Sequence, residues 1–188
     1  MKSEKFEKLV DALESLPTIG KKSAQRLAYH MVLESPMDAM RLAHAIEEAL
    51  SSVHRCVQCG GLSEDELCGV CSDPARDQST LLLVQSARDI QVIEESGEYD
   101  GLYFVFDSLD ESRLERLKDL VIQKGIEELI FAFTPSIQND ALILFIEDRL
   151  ADLTILFTRI AQGVPTGVHL ENVDTISLAK AISDRVKV

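Results

Sequence analysis

The chain has 188 residues, 46% hydrophobic and 27% charged, enough to bury a core and to form one or two domains. Its net charge of −13 argues against nucleic-acid binding driven by overall charge, and leaves any such contact to a local basic patch. No apolar run reaches the roughly 20 residues of a membrane span. The opening "MKSEKFEKLVDALESLP" is charged and amphipathic, unlike a signal peptide, so a cytoplasmic protein with reduced thiols is expected.

Phe6, Leu9, Val10, Leu13 and Leu16 recur at helical spacing and predict an amphipathic helix over residues 3–16. Pro17 and Gly20 mark a turn, and Ala24, Leu27, Ala28 and Met31 mark a second helix. Pro36 interrupts; Met40, Ala43, Ile46 and Leu50 then give a third helix that ends just before Cys56. A small helical unit over 1–53 follows from this pattern. Residues 1–30 hold six Lys/Arg against four Asp/Glu, so the acidity lies in the rest of the chain. Lys21, Lys22 and Arg26 fall within about one and a half helical turns of one another. They form either a solvated helix face or a contact for a polyanion.

All four cysteines lie in "CVQCGGLSEDELCGVC", residues 56–71, as two C-x-x-C pairs eight residues apart. Structural metal, paired disulfides and a redox centre are the three readings. A reducing compartment disfavours disulfides, and a redox centre needs only one C-x-x-C. Each pair places two sulfurs on one tight turn, and Gly60, Gly61 and Gly69 let the backbone wrap an ion. Four thiolates suit one structural Zn2+ per chain, held by Cys56, Cys59, Cys68 and Cys71, with no open position for chemistry. The gap is shorter than is usual for paired zinc knuckles, which implies a compact ribbon over about 54–77.

Downstream the period changes. Short apolar runs at 81–85, 102–107, 128–133 and 153–158 alternate with helical stretches at about 87–96, 109–124 and 138–150. This predicts a mainly parallel, helix-covered α/β domain over 78–160. Ser86 with Asp89, and Ser108 with Glu111, are candidate capping boxes. Asp107, Asp110 and Glu111 cluster at a strand's carboxyl end, where ligands bind, although capping explains them equally well. His30, His44, His54 and His169 have no metal spacing and read as surface or packing residues. Gly163, Pro165 and Gly167 lack the lysine of a phosphate loop and read as a tight turn.

"LPTIGKKSAQRLA" resembles the hairpin of a helix-hairpin-helix motif, in which backbone N–H groups, a helix N-terminus and flanking cations hold DNA phosphate. Such hairpins usually carry glycine where Thr18 stands. The order of a helix-hairpin-helix, a four-cysteine knuckle, a small α/β domain and "RIAQGVPTGVHLE" resembles the RecR family of bacterial recombination mediators along essentially the whole chain. The resemblance implies an α+β multidomain chain whose α/β part is a Toprim domain. It further implies a C-terminal segment over 161–188 that packs subunits into a dimer or tetramer ring around DNA.

By the same resemblance, the protein is not an enzyme. It binds single-stranded or duplex DNA without reading sequence, through Ile19, Gly20, Lys21, Lys22 and Arg26. It acts in DNA repair with RecO-like and, in many cases, RecF-like proteins to load RecA on DNA coated by SSB. Toprim enzymes hold magnesium with a glutamate after the first strand and an acidic pair after the third. Here Gln85 ends the first strand and Phe133, Thr134 and Pro135 follow the third, which supply no anionic oxygens. The partner-binding segment of the family corresponds to "SIQND", where Gln138 has lost an acid and Asp140 keeps one. The alternatives are a zinc-stapled adaptor with little DNA binding and, further off, a Toprim-type nuclease.

Overall fold

A computed structural model describes residues 3–161, 163–164 and 167–183. The chain divides into two compact units, Met1–His54 and Arg55–Val188.

The first unit contains α1 (Glu4–Glu14), α2 (Lys21–Tyr29), a π-helical turn (His30–Glu34) and α3 (Pro36–Ser52). Its core is small. Val10, Ala24 and Ala28 are buried, with Phe6, Leu9, Leu13 and Ile19 packed around them. The alanines let α1 and α2 approach closely, and the Phe6 and Tyr29 rings meet at 4.7 Å. The π turn, in which the Ser35 N–H donates to the His30 carbonyl at 2.8 Å, is not legible in the periodicity. Its cause is Pro36. A residue before proline is pushed out of the α region, and Ser35 sits at φ −136°, ψ 64°, so the helix widens and stops before α3 restarts with proline in its first turn.

The second unit begins with a ribbon of two short strands, β1 (His54–Arg55) and β2 (Leu62–Ser63), followed by the single turn α4 (Gly69–Ser72). Then β3 (Thr80–Val84), α5 (Ala87–Ser96), β4 (Leu102–Val105), α6 (Glu111–Lys124), β5 (Glu128–Phe131), α7 (Ile137–Arg149) and β6 (Leu156–Arg159) alternate. The four longer strands form a parallel sheet in the order β4-β3-β5-β6, with Leu81 paired to Leu102 on one side and to Leu129 on the other. This is the expected α/β layer. The last strand begins three residues later than its apolar run, because Leu153 and Ile155 pack against the helices instead of joining the ladder.

Strand alternation divides the core between the two faces of the sheet. Leu81, Leu83, Leu102, Phe104, Leu129 and Phe131 pack under α6 and α7, which contribute Leu114, Leu117, Val121, Ile143, Ile146 and Leu150. The opposite face presents Leu82, Val84, Tyr103 and Val105 to α5 and to the cysteines.

Ser86 and Asp89 form the expected capping box on α5. On α6 the expectation fails: Asp110, not Ser108, is the N-cap, and it accepts from the Ser112 N–H. The carboxylate directly before the first turn wins over the hydroxyl two residues earlier. Beyond β6, the described residues form a 3-10 turn (Leu170–Asn172) and α8 (Thr175–Ser183). Gly167 adopts φ 82°, as a tight turn requires, whereas Pro165 of that turn and the end of the 161–188 segment, 184–188, lie outside the described residues.

Candidate metal centre and nucleic-acid interface

The ribbon and α4 bring the sulfurs of Cys56, Cys59, Cys68 and Cys71 within 4.8 Å of one another, the only such group among the described residues. Four sulfurs around zinc at the usual bond length stand about 3.8 Å apart; those of Cys59 and Cys68 are 3.6 Å apart. All four cysteines are free thiols, and Cys56, Cys59 and Cys71 are buried.

Backbone donors already face the sulfurs, with Gly61 N–H on Cys59 at 3.3 Å and Cys68 N–H on Cys56 at 3.4 Å. Such donors stabilise thiolates, as outer-shell partners of a metal site do. Without a cation the cluster is frustrated. Hydrogen bonds from Cys59 and Cys71 push the Cys68 thiol down to about 2. The bond to Cys68 pushes Cys59 up to about 12, and the bond to Cys59 pushes Cys71 up as well. A dication lets all four deprotonate together, so the donor set fits zinc.

The knuckle is built into the sheet. Val105, on the outer strand β4, donates its N–H to the Cys59 carbonyl at 2.7 Å, so the ribbon covers an open sheet edge. Gly60 turns there at φ 77°, and a Cβ would stand 3.4 Å from the Val105 side chain. Behind the cysteines, Arg76 grips Glu94 through two bonds at 3.0 and 2.7 Å, and the Tyr103 hydroxyl donates to the same carboxylate at 2.6 Å. Burial alone would raise the Glu94 carboxyl, but these donors outweigh it and hold it below the usual range.

In the first unit, the turn between α1 and α2 places Gly20 at the N-cap of α2 with no side-chain cap. The first intrahelical bond runs from the Ala24 N–H to the Gly20 carbonyl at 3.0 Å, so the N–H groups of Lys21, Lys22 and Ser23 point outward from the helix end. A Cβ on Gly20 would meet nothing within 4 Å, and its φ of −88° suits any residue. Neither crowding nor backbone conformation demands glycine here; what it leaves is a bare backbone open to the outside.

Thr18 adopts φ 69°, the left-handed region that favours glycine and is costly for a β-branched residue. Lys21, Lys22 and Arg26 are exposed, and none pairs with a carboxylate among the described residues. Lys8 and Arg41 of the same unit pair with Glu4 and Asp38. Ile19 is half-buried against the core, which anchors the hairpin rather than presenting it.

At the carboxyl end of the sheet, the order β4-β3-β5-β6 puts the topological switch point between β3 and β5. Gln85 and Asn139 close it by exchanging amide bonds at 3.0 and 3.2 Å, and Asn139 also donates to the Thr134 carbonyl at 2.6 Å. Asn139 escaped the sequence reading, since only folding brings it 54 positions back to Gln85.

Gln138 and Asp140 are exposed in the first turn of α7, and Asp140 pairs with Arg159 at 3.3 Å. Asp107 is held by Arg55 and Arg113 at 3.0 and 3.1 Å, Asp110 caps α6, and Glu111 pairs with Arg149. That acidic cluster is structural. The arginines on Asp107 come from distant positions and left no sequence signal. His30 bonds Glu34, His44 faces Glu48 and His54 meets the Ser52 carbonyl, all local surface contacts.

Known proteins agree with this geometry. The family model described as the RecR helix-hairpin-helix matches residues 6–50, and the one described as the RecR zinc finger domain with four cysteines matches residues 53–73. "Recombination protein RecR" of a Nitratiruptor species is 68% identical over 187 residues, 100% of this chain and 98% of the relative. That of Campylobacter jejuni subsp. doylei is 54% identical, covering 98% and 97% of the two chains. That of a Helicobacter pylori strain is 46% identical, covering 97% and 94%. The zinc-finger match and the clustered thiols together make zinc the structural ion of this fold. No described helix is long and apolar enough to cross a membrane. With relatives this similar over its full length, the chain belongs to the RecR family of recombination proteins.

Proposed function

We propose that the chain is a non-catalytic, DNA-binding recombination mediator of the cytoplasm. It works with RecO-like and, where present, RecF-like proteins to load RecA on SSB-coated single strands. In this reading residues 1–53 hold the DNA backbone, 54–77 carry the zinc ligands Cys56, Cys59, Cys68 and Cys71, 78–160 receive partners, and 161–188 join subunits.

The observation that carries the reading is the hairpin. Outward backbone donors at the start of α2 stand beside Lys21, Lys22 and Arg26, cations without a carboxylate partner among the described residues. Donors of this kind grip phosphate and ignore base identity. A non-catalytic role is supported by the neutral Gln85–Asn139 pair at the switch point, where a Toprim enzyme needs anionic oxygens.

Partner binding at the start of α7, where Gln138 and Asp140 stand, is supported by the face that carries Asp140. There Ile137, 90% exposed, and Leu144, 66% exposed, lie beside Asp140 and Asp148 and suit a partner with a basic rim. Self-assembly is supported by α3, which buries none of its residues and exposes Met37, Met40, Ile46 and Leu50. Exposed apolar surface of this extent suits contact with another subunit, beside the contact made by 161–188. A homo-oligomer would set several hairpins on one strand and multiply weak contacts.

The test is fluorescence anisotropy with the Lys22→Glu/Arg26→Glu variant. Binding should fall strongly and alike for every DNA sequence, with the slope of log affinity against log salt shallower by about 0.7 to 0.9 for each phosphate lost. Equal binding by both proteins would remove the hairpin as the DNA site and favour an adaptor that recruits proteins alone.

A further inference from the structure

On the second unit a cavity of about 340 Å³ opens beside the cysteine ribbon. It is lined by Arg55, Arg113 and Arg116, by Phe104 and Val105 at the edge of the sheet, and by Cys56 and Cys59 of the ribbon. One carboxylate serves this group. Asp107 accepts from Arg55 on one oxygen at 3.0 Å and from Arg113 on the other at 3.1 Å. Arg113 also donates to the Val105 carbonyl at 2.8 Å, and Arg116 to the Val57 carbonyl. Asp119 borders a neighbouring groove together with Arg116, but no ion pair joins them among the described residues.

Three arginines therefore line the opening and share one carboxylate, beside Cys56 and Cys59 of the cysteine cluster, which with zinc bound to four thiolates is itself anionic. Anchoring the ribbon explains Arg113, whose side chain is 19% exposed. It does not explain Arg55, with a side chain 59% exposed, or the exposed Arg116, which line the same opening. Guanidinium forks match an oxyanion, to which they donate paired N–H groups. A carboxylate offers two oxygens, and Asp107 already supplies such a group. Arg55 and Arg116 each keep donors beyond those bonded to Asp107 and to the Val57 carbonyl, enough for the oxygens of a phosphodiester.

We propose that this cavity is a second phosphate site, which takes a backbone phosphate of single-stranded DNA, with Arg55 and Arg116 as donors and the Arg113–Asp107 pair holding Arg55 in place. The inference rests on the DNA-binding reading above. It gives the zinc unit its own contact with the strand, separate from the hairpin.

The experiment uses the full zinc-loaded chain and a labelled oligothymidine, followed by anisotropy across a salt series. Arg55→Gln/Arg116→Gln should bind about tenfold more weakly at low salt, as loss of charge-assisted bonds predicts. Its slope of log affinity against log salt should be shallower by about 0.7, one phosphate on a single strand. Zinc content and melting should match the parent. Arg116→Lys, which keeps charge without the fork, should retain the slope and lose affinity.

An unchanged slope and affinity in the double variant, while Lys22→Glu/Arg26→Glu binds poorly, overturns the second site and leaves the hairpin reading standing. A parent chain that binds no DNA overturns both. Loss of an acidic protein partner by the double variant with DNA binding intact overturns the phosphate assignment in favour of that partner.

Discussion

The two units of this chain solve the problem of stability in opposite ways. The second buries Leu81, Leu83, Leu102, Leu117, Leu129 and Ile146 completely between sheet and helices, and it adds a metal cluster to the other face of the sheet. The first, Met1–His54, encloses little more than Val10, Ala24 and Ala28, and it leaves the apolar stripe of α3 uncovered. A segment of this size with so small a core is marginal by itself. The difference separates a unit stabilised by its own core from one whose apolar side chains are largely exposed. The cations Lys21, Lys22 and Arg26, without a carboxylate partner among the described residues, sit on the unit with the smaller core.

The largest expected effect would break the scaffold. Cys71→Ser, or chelation of the zinc, removes a ligand set whose binding free energy contributes directly to folding, on the order of 10 kcal/mol in small zinc domains. Tyr103 lies fully buried against the cysteines and Tyr99 packs on it at 5.1 Å. With no tryptophan in the chain, near-UV circular dichroism reports chiefly its three tyrosines, two of them at the cluster. The part of the signal due to Tyr99 and Tyr103 should be lost with the metal, and far-UV helicity should fall by a smaller fraction. A zinc-free protein with an unchanged near-UV spectrum would show that the sheet face packs without the ion.

A smaller effect sharpens the contrast between buried and offered apolar surface. Leu117→Ala should cost about 2–5 kcal/mol of stability, measured by urea denaturation, because α6 cannot close the space. Leu50, 80% exposed, should tolerate Leu50→Ser within about 0.5 kcal/mol. The same change should lower the mass seen in sedimentation. A Leu50 variant as unstable as the Leu117 variant would mean that α3 is already covered within the chain.

The smallest effect probes the hairpin. Thr18→Gly should raise stability by about 1 kcal/mol, since glycine adopts φ 69° without the penalty threonine pays. The relieved turn should also bind DNA at least as well as the parent. A loss of melting temperature in that variant would show that the threonine side chain stabilises the turn by more than the strain costs.

Much of this protein was legible residue by residue. Cysteine spacing announced the knuckle because a C-x-x-C pair is a local device whose geometry is set within a few residues. Apolar periods announced the helices and the parallel strands, and Gly20 beside Lys21, Lys22 and Arg26 announced the hairpin, for the same reason. The resemblance to a helix-hairpin-helix marked Thr18 as standing where such hairpins carry glycine; the structure adds the physical cost, a left-handed backbone under a β-branched side chain.

What only the tertiary structure decided involves residues far apart in the chain. The exchange of amides between Gln85 and Asn139, the clasp of Arg55 and Arg113 on Asp107, and the packing of cysteines against Tyr103 and Val105 have no local period. They arise because a parallel sheet brings distant strand ends side by side, and its open edge at β4 needs a partner for its backbone donors. Local spacing thus determined which groups are chemically capable, and the closing of the sheet determined which of them meet.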